Sequence, residues 1–270
     1  MKTKFYFMTC LTNLHVGNGD VNFNVIDKEV ERDPVTGYPT INPSGIKGSL
    51  RRYFEQNEPR QTVKLFGSSV QESIGSASTP GSLKFLSAQM LARPARASEG
   101  ASAFYMVTTK TALDQFCVAV LALAGNKPFQ TTGISPCTDY RIAGKDVGVE
   151  GYSVHDAVPE SPDIKRMKDY LKDVLGENFL ILSNETYRKI PLPVVARNYL
   201  ENGESKNLWY EELVPHESVF WFAVLGDEAD LERFDAAINH KVVQFGGNAS
   251  VGCGLCMLKG GISNVEATNQ

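Results

Sequence analysis

The sequence predicts an α+β fold with a ferredoxin-like core that is enlarged by insertions. Early in the chain, an aromatic stretch typical of a strand at 4–11 is followed by a predicted helix over 44–55. Near the other end, strands and a helix alternate over 218–225, 229–240, 242–245 and 251–258. An early strand–helix unit and a late strand–helix–strand unit together make the pattern of a split β-α-β arrangement.

The first strand and the first helix follow from local sequence. Residues 4–11 are rich in aromatic and β-favouring side chains, which is typical of a buried strand. The helix is predicted to begin at Ser44, a good N-cap, and to end near Glu55. Apolar residues recur there at helical spacing, at Ile46, Leu50, Tyr53 and Phe54. Between strand and helix lies a long polar loop, and long loops in compact domains are usually functional.

The middle of the chain combines short predicted elements with two insertions. Residues 56–81 and 131–163 are rich in polar residues and glycine, so we expect surface excursions with little to bury. A strand at 82–91 and helices at 113–123 and 164–175 are predicted from their apolar patterns. The whole chain is predicted to be one domain, with its core in 1–55, 82–125 and 217–260.

A protruding β-hairpin is predicted over about residues 190–216. Asn202-Gly203 is a strong turn signal between two strand-like stretches. Its aromatic and aliphatic side chains can wedge between stacked bases, as apolar residues do when proteins kink nucleic acids. The alternative is a hairpin that packs on its own domain.

Composition excludes two broad classes of protein. The 270 residues include 42% hydrophobic ones, enough to rule out disorder of the whole chain, and no apolar stretch is long enough for a membrane span. We therefore expect no membrane partner. Five unevenly spaced cysteines favour a reducing cytoplasm.

Charge is distributed unevenly along the chain. The net charge is −4, but residues 1–110 hold 13 Lys and Arg against 9 Asp and Glu, while residues 111–270 hold 14 against 22. Because phosphate binding depends on local potential, a basic face in the first part is possible. Ordinary solvated charge explains the same numbers about as well.

The start of the predicted helix has the features of a phosphate site. Helix N-termini offer unpaired N–H groups and a positive dipole end, and Gly45 and Gly48 leave the first turn bare next to Ser44. Lys47 and Arg51 lie four residues apart, which places two cations on one side. The alternative is a capped amphipathic helix with solvated basic residues.

Four glycines between residues 246 and 254 form a second candidate. Their spacing matches neither a dinucleotide-binding fingerprint nor a P-loop, and a tight hairpin is the plain alternative. In a strand, Gly252 and Gly254 would share one bare face open to close contact with RNA or a packed neighbour. The same alternation would put Cys253 and Cys256 on opposite sides, so we interpret them as packing residues and not as a zinc pair.

Two polar residues of the early loop are candidates for chemistry. Asp27, among charged neighbours, can hold a divalent metal or orient a 2′-hydroxyl, although most such carboxylates are simply solvated. His15 can act as a base or a phosphate donor, whereas such histidines more often bond the backbone of the following turn.

Several short motifs follow one another along the chain: HVGNG at 15–19, VID at 25–27, GYP at 37–39, SGIKGSLR at 44–51, LFGS at 65–68, GSLKF at 81–85, NLWYEE at 207–212 and GGNASVG at 246–252. In this order they resemble the RAMP-superfamily backbone subunits of CRISPR antiviral effectors. The similarity is greatest to the target-RNA-cleaving backbone subunit of type III-B (Cmr) complexes, and it covers most of the chain.

The resemblance implies a fold and a set of partners. It implies a ferredoxin-like (RRM-like) palm with finger insertions and a β-hairpin thumb. Copies would stack into a helical filament along a CRISPR guide RNA, together with other effector subunits, and each thumb would interrupt the duplex with complementary target RNA. The implied location is the prokaryotic cytoplasm. One departure is Cys253, which stands where a basic residue is expected.

The resemblance also implies a metal-dependent endoribonuclease that uses the target's 2′-hydroxyl, with Mg or Mn at Asp27. His15, Glu211 and Glu212 are secondary catalytic candidates. Kinking the strand would allow in-line attack, so much of the rate can come from positioning. The guide backbone would be bound without reading its sequence by Lys47, Arg51 and the glycine turn with Gly246, Gly247, Gly252 and Gly254. Ser44, Arg93 and Arg197 are further candidates for RNA binding.

Three alternatives stay open at this point. The chain can be a non-catalytic structural subunit that binds guide RNA, a stand-alone guide-processing endoribonuclease, or a metabolic enzyme that binds a nucleotide at the glycine turn. The leading hypothesis depends on Asp27 lying near a bent ribose-phosphate linkage and beside the basic helix start at 44–51.

Overall fold

A large, mostly antiparallel sheet with helices on both faces forms the body of the chain, which the computed structural model describes over residues 1–19, 25–69 and 78–263. The strands are β1 (Lys2–Cys10), β2 (Thr40–Ile41), β3 (Lys84–Phe85), β4 (Ala88–Glu99), β5 (Phe104–Thr109), β6 (Tyr140–Arg141), β7 (Val147–Val149), β8 (Tyr152–Val154), β9 (Asp156–Ala157), β10 (Leu180–Leu182), β11 (Val194–Glu201), β12 (Glu204–Glu212), β13 (Val219–Gly226), β14 (Val242–Gln244) and β15 (Leu255–Ser263). The helices are α1 (Pro43–Asn57), α2 (Pro59–Phe66), α3 (Lys110–Ala124), α4 (Pro162–Leu175), α5 (Asn184–Lys189) and α6 (Glu228–Ile238), with a 3₁₀ turn at Ala249–Val251.

Strand β1 lies in the middle of the sheet. The order along the sheet is β14-β15-β1-β13-β4-β5-β10-β6-β9, and β1 pairs antiparallel with both β15 and β13. Strand β13 also pairs antiparallel with β4, while β5–β10 and β6–β9 are parallel pairs. The prediction of a mixed α and β fold is therefore confirmed. None of the helices in the described ranges is long and apolar enough to cross a bilayer.

Alternation along β1 builds a core on each face of the sheet. Tyr6 and Met8 pack with α1, α2 and α6, whereas Phe5 and Phe7 pack with α3 and α4. Phe234 of α6 is fully buried, and its ring contacts the aromatic rings of Tyr6, Phe54, Phe66 and Phe85. Aromatic side chains bury large areas, so this cluster anchors α1, α2 and α6 on one face of the sheet.

Strands β11 and β12 form a two-stranded sheet of their own, joined at the predicted turn. Asn202 and Gly203 have φ values of 52° and 83°, the left-handed conformation that a tight hairpin turn requires. Large apolar side chains are exposed along this hairpin, at Tyr199, Leu200, Leu208 and Tyr210. The predicted hairpin is therefore present, and its apolar side chains are available to a partner.

Helix α1 begins one residue before the predicted cap, so the assignment of Ser44 as N-cap is wrong. Asn42 holds the cap position, and Ser44 is the second helical residue and is exposed. Pro43 explains the shift, because its fixed φ suits the first helical position. The amide side chain and backbone N–H of Asn42 donate to the carboxylate of Glu31 instead of closing the helix.

Both predicted insertions contain more structure than expected. Within 56–81, helix α2 buries Leu65 and Phe66, and residues 70–77 lie outside the described part. Within 131–163, apolar residues spaced between glycines and polar residues are buried: Ile134, Tyr140, Ile142, Val147, Val149, Val154 and Val158. The expectation of little buried surface is wrong because short strands and the loops between them each place one or two apolar residues in the core.

Candidate functional site

A buried carboxylate, Glu211 of β12, joins three segments that are distant in sequence. Lys28 Nζ (3.0 Å) and Trp209 Nε1 (2.8 Å) donate to its Oε1. Arg197 Nε (3.2 Å) and Asn248 Nδ2 (2.8 Å) donate to its Oε2. Glu211 is 1% exposed, so the early loop, the hairpin and the glycine turn meet at one desolvated charge.

Its surroundings keep Glu211 ionised. Burial acts to raise the pKa of this carboxyl, but hydrogen bonds from Trp209 and Lys28, the Lys28 charge and the bond from Arg197 outweigh it and lower the pKa to about 2. A base with so low a pKa accepts protons poorly at neutral pH. Both oxygens are already occupied, which suits a positioning role better than the proton transfer or metal contact expected from sequence.

Glu212 and His15 form a second buried group beside the first. Glu212 accepts hydrogen bonds from the guanidinium of Arg32 and from the backbone N–H of Val30 (3.1 Å). His15 Nδ1 lies 2.8 Å from the backbone carbonyl oxygen of Glu212, to which it donates. His15 therefore bonds backbone, as the alternative to catalysis supposed, but its acceptor lies 197 positions away at the end of β12 and not in the following turn.

Asp27 lies at the base of the hairpin. Its Oδ2 accepts the backbone N–H of Tyr210 at 2.8 Å, and its own N–H donates to the Tyr210 carbonyl at 3.1 Å. The side chain is exposed, and Oδ1 has no further hydrogen bond within the ranges described. The contacts thus tie Asp27 to the hairpin, and its predicted proximity to residues 44–51 stays a prediction.

The basic side chains of α1 differ in their surroundings. Arg51 donates to Glu55 (Nε–Oε1, 2.7 Å) and to the carbonyl of Gly67, just past the end of α2. Lys47 is half-buried. Arg51 thus fixes one helix against the next, and its charge is already compensated, which reduces what the predicted pair of cations offers to RNA.

Arg93 and Arg197 are likewise held by the protein. Arg93 is 5% exposed, its Nη2 donates to the carbonyls of Tyr187 (2.9 Å) and Ile190 (2.6 Å), and it lies over the Tyr187 ring at 4.5 Å. Arg197 pairs with Glu211. As predicted RNA contacts, both are less accessible than surface arginines.

The glycine turn is not a strand at Gly252 and Gly254, so the prediction of a shared bare face is wrong. A 3₁₀ turn ends at Val251, β15 begins at Leu255, and the two glycines have φ values of 82° and 83°. Only glycine adopts such angles freely, which explains why the apolar pattern did not continue as a strand.

Close packing explains the glycine at position 246 of this turn. A Cβ on Gly246 would lie 2.3 Å from the carbonyl oxygen of His15, and Gly247 donates its N–H to that oxygen at 2.8 Å. The glycine turn therefore packs directly against the segment that carries His15. Cys253 and Cys256 are buried thiols, as their interpretation as packing residues requires.

Substituting the two glycines separately is expected to give unequal losses. In Gly254→Ala, the new Cβ would meet the Phe245 carbonyl oxygen at 1.9 Å, whereas in Gly252→Ala it would meet nothing within 4 Å. Both positions carry the left-handed strain of about 1–2 kcal/mol. We expect Gly252→Ala to lose about 1 kcal/mol of unfolding free energy and Gly254→Ala about 2–3 kcal/mol. Equal losses in urea denaturation would contradict the packing described.

Sequence reasoning missed four members of this site. Lys28, Arg32, Trp209 and Asn248 were not singled out, yet they bind the two buried carboxylates. A signal was present for two of them, since Lys28 directly follows the VID motif at 25–27 and Trp209 lies within NLWYEE at 207–212. Among the described residues, no group of three or more His, Cys, Asp or Glu is arranged to hold a metal.

Comparison with known proteins gives consistent results. The model of the RAMP superfamily matches residues 7–257. The chain is 28% identical over 285 residues to the CRISPR system Cmr endoribonuclease Cmr4 of Pyrococcus furiosus, covering 94% of each protein. Oligomeric Cmr4 from Pyrococcus furiosus has a similar fold, with a TM-score of 0.72 and 22% identity over 96% of this chain and 98% of that one. A chain of the type III-B Cmr-beta complex bound to cognate target RNA gives 0.76 and 21% over 96% of each.

Proposed function

The chain belongs to the RAMP superfamily, and on this premise we propose that it is a backbone subunit of a type III-B CRISPR effector complex in prokaryotic cytoplasm. It binds guide RNA and cleaves complementary target RNA, next to further copies of itself and other subunits. The similarity to a Cmr endoribonuclease over 94% of both chains supports this proposal.

Each region of the fold has a role in this function. Strands β15, β1, β13 and β4, with α1 and α6, act as a ferredoxin-like palm, and the strand order agrees with this assignment. The β11–β12 hairpin acts as the thumb, and the segments around β6–β9 act as fingers. Exposed apolar side chains on the hairpin suit a wedge that separates stacked bases.

The observation that carries the proposal is the position of Asp27. Its exposed carboxylate is fixed at the base of the hairpin by the Tyr210 backbone, and the neighbouring Lys28 is fixed by Glu211. An RNA strand bent around the hairpin would pass this carboxylate. RNA carries its own nucleophile, the 2′-hydroxyl, and bending brings it in line with the adjacent phosphorus, so positioning supplies much of the rate.

A divalent ion fits this site only if it is shared with RNA. Asp27 offers one carboxylate oxygen, because the other accepts the Tyr210 N–H. Mg²⁺ commonly binds one or two carboxylates and completes its shell with water and phosphate oxygens, so this donor set is adequate. When bound, Mg²⁺ or Mn²⁺ stabilises negative charge on the phosphate. The role of the protein itself is to hold the Asp27 carboxylate next to the bent linkage of the RNA strand.

The proposed function is tested by incubating the assembled complex with labelled complementary RNA, with and without a chelator. We expect fragments at even intervals, because identical subunits repeat along the guide, and we expect the chelator to abolish them. Intact RNA with normal guide assembly would identify a purely structural subunit. Metal-independent cutting of repeat RNA by the isolated chain would identify a guide-processing enzyme. Nucleotide affinity without RNA binding would identify a metabolic enzyme.

A further inference from the structure

A cavity of about 270 Å³ opens beside the base of the hairpin. Ile26, the residue before Asp27, lines it, as does Val194 at the start of β11. Its other walls are formed chiefly by arginines and tyrosines, namely Arg32, Arg93, Arg188, Tyr38 and Tyr187. The cavity therefore lies next to the proposed cleavage site but uses side chains that the proposed reaction leaves unassigned.

The charges around this cavity do not balance. Among the residues that the structure describes, three arginines line it with a single carboxylate, Glu212, which is paired with Arg32. Arg93 is almost fully buried, is bonded to two carbonyls, and has no carboxylate partner within the described residues; its Nε is buried without any hydrogen-bond partner there. A buried cation without a counter-ion is strongly unfavourable. An anion in the cavity would supply the missing charge.

Arg188 is an exposed cation at this cavity, in contrast to the buried Arg93. It lies on α5 and is exposed, and its Nε donates to the backbone carbonyl of Asn184 in the same helix (3.1 Å). Burial raises the pKa of Tyr38, and the charges of Arg188 and Arg93 oppose that rise, as expected for two cations close to one ring. The electrostatic potential is therefore positive at the wall of the cavity that Tyr38 and Tyr187 form.

We propose that this cavity binds one nucleotide unit of the target RNA strand, with the phosphate on Arg188, beside the uncompensated charge of Arg93, and the base against the apolar wall. This inference rests on the proposed function. Arginine is the preferred partner of phosphate because its planar fork gives paired, charge-assisted hydrogen bonds. The volume lies just below the roughly 300 Å³ at which small-molecule pockets begin, which suits a single nucleotide. The apolar wall is completed by Pro39, Ile190 and Leu192.

The neighbouring residue provides a matched control. Arg188→Gln and Lys189→Gln each remove one positive charge from α5, but Lys189 pairs with Glu185 and does not line the cavity. Both are introduced into the assembled complex together with Asp27→Asn, so that RNA is bound but not cut. Affinity for labelled complementary RNA is then measured over a range of salt concentrations.

We expect Arg188→Gln to weaken target binding about tenfold and to reduce the salt dependence, because a phosphate contact is lost. Lys189→Gln should bind as the parent does, and Arg188→Lys should recover only part of the affinity, because it keeps the charge but loses the planar fork. Equal affinities for Arg188→Gln and Lys189→Gln would overturn the assignment, whether both are unchanged or both are weakened.

Two further results separate the inference from the proposed function. The wild-type complex could cleave at even intervals while Arg188→Gln binds target RNA as tightly as its parent. That result would refute nucleotide binding in the cavity and would still support the proposed function. Failure of the assembled wild-type complex to bind complementary RNA would overturn both. An excess of uridine 5′-monophosphate is not expected to displace the RNA, and displacement that depends on Arg188 would assign the cavity to a free nucleotide instead.

Discussion

Asp27→Asn is expected to reduce target-RNA cleavage by the assembled complex at least about 100-fold, the usual effect of losing a group that acts on a proton or a metal ion at the reacting centre. Asparagine is chosen because its amide oxygen can still accept the Tyr210 N–H, so the hairpin base keeps its geometry while the charge is lost. Guide assembly and target affinity should not change. Single-turnover cleavage of labelled RNA measures the effect.

Asp33→Asn is the matched control for this substitution. Asp33 lies in the same loop, and its carboxylate accepts the backbone N–H groups of Val35 and Thr36, a turn that asparagine also supports. The control should cleave at the parental rate. Wild-type cleavage by Asp27→Asn would refute the proposed role of this carboxylate and favour a subunit that only binds the guide.

Glu211→Ala is expected to lower the free energy of unfolding by about 3–5 kcal/mol, the range found when one partner of a buried ion pair is removed. The substitution leaves Lys28, Arg197, Trp209 and Asn248 without their shared acceptor. Chemical denaturation of the isolated chain measures the loss. Glu204→Ala on the same strand is the control. Glu204 is exposed, and its one ion pair within the described residues is with Lys206, so the substitution should change stability by less than about 0.5 kcal/mol.

The same carboxylate predicts a pH dependence. Its pKa in the folded chain is about 2, below its ordinary value of 4.5, so the folded state binds its proton less readily than the unfolded state. The stabilisation is therefore complete above pH 4.5 and is lost as the pH falls towards 2. The shift corresponds to about 3 kcal/mol. Glu211→Ala should show a flatter acid limb than wild type, and parallel acid limbs would contradict this assignment.

The sequence predicted correctly those strands, helices and turns that depend on neighbouring residues alone. The aromatic stretch at 4–11 became β1, the helix predicted at 113–123 became α3, and Asn202-Gly203 formed the hairpin turn. The turn at Gly252 was missed because backbone angles, not side-chain patterns, delay the start of β15 from the predicted residue 251 to Leu255. The buried valines of 131–163 were missed because each contributes to the core singly, between residues that indicate a loop.

The candidate site was predictable as a set of segments but not as a set of contacts. Motifs around Asp27, Glu211 and the glycine turn were selected from sequence, and the structure brings these three segments together. Their bonding was beyond prediction, because Lys28 and Glu211 are 183 positions apart and nothing local specifies their pairing. From sequence alone, Glu211 was therefore a candidate catalytic residue. In the structure, four hydrogen-bond donors already occupy its carboxylate oxygens.

The central place of β1 has a consequence for synthesis of the chain. In the sheet, Cys10 of β1 lies opposite Cys256 of β15, 246 positions later in the sequence. Strand β1 also pairs with β13, which is likewise synthesised much later. Ribosomes release the first of these strands long before the other two, so its aromatic side chains have no sheet to join during most of translation. Long-range pairing of this kind slows folding and leaves apolar surface open to aggregation. Nascent chains of this protein should therefore depend on chaperones until the last strand emerges.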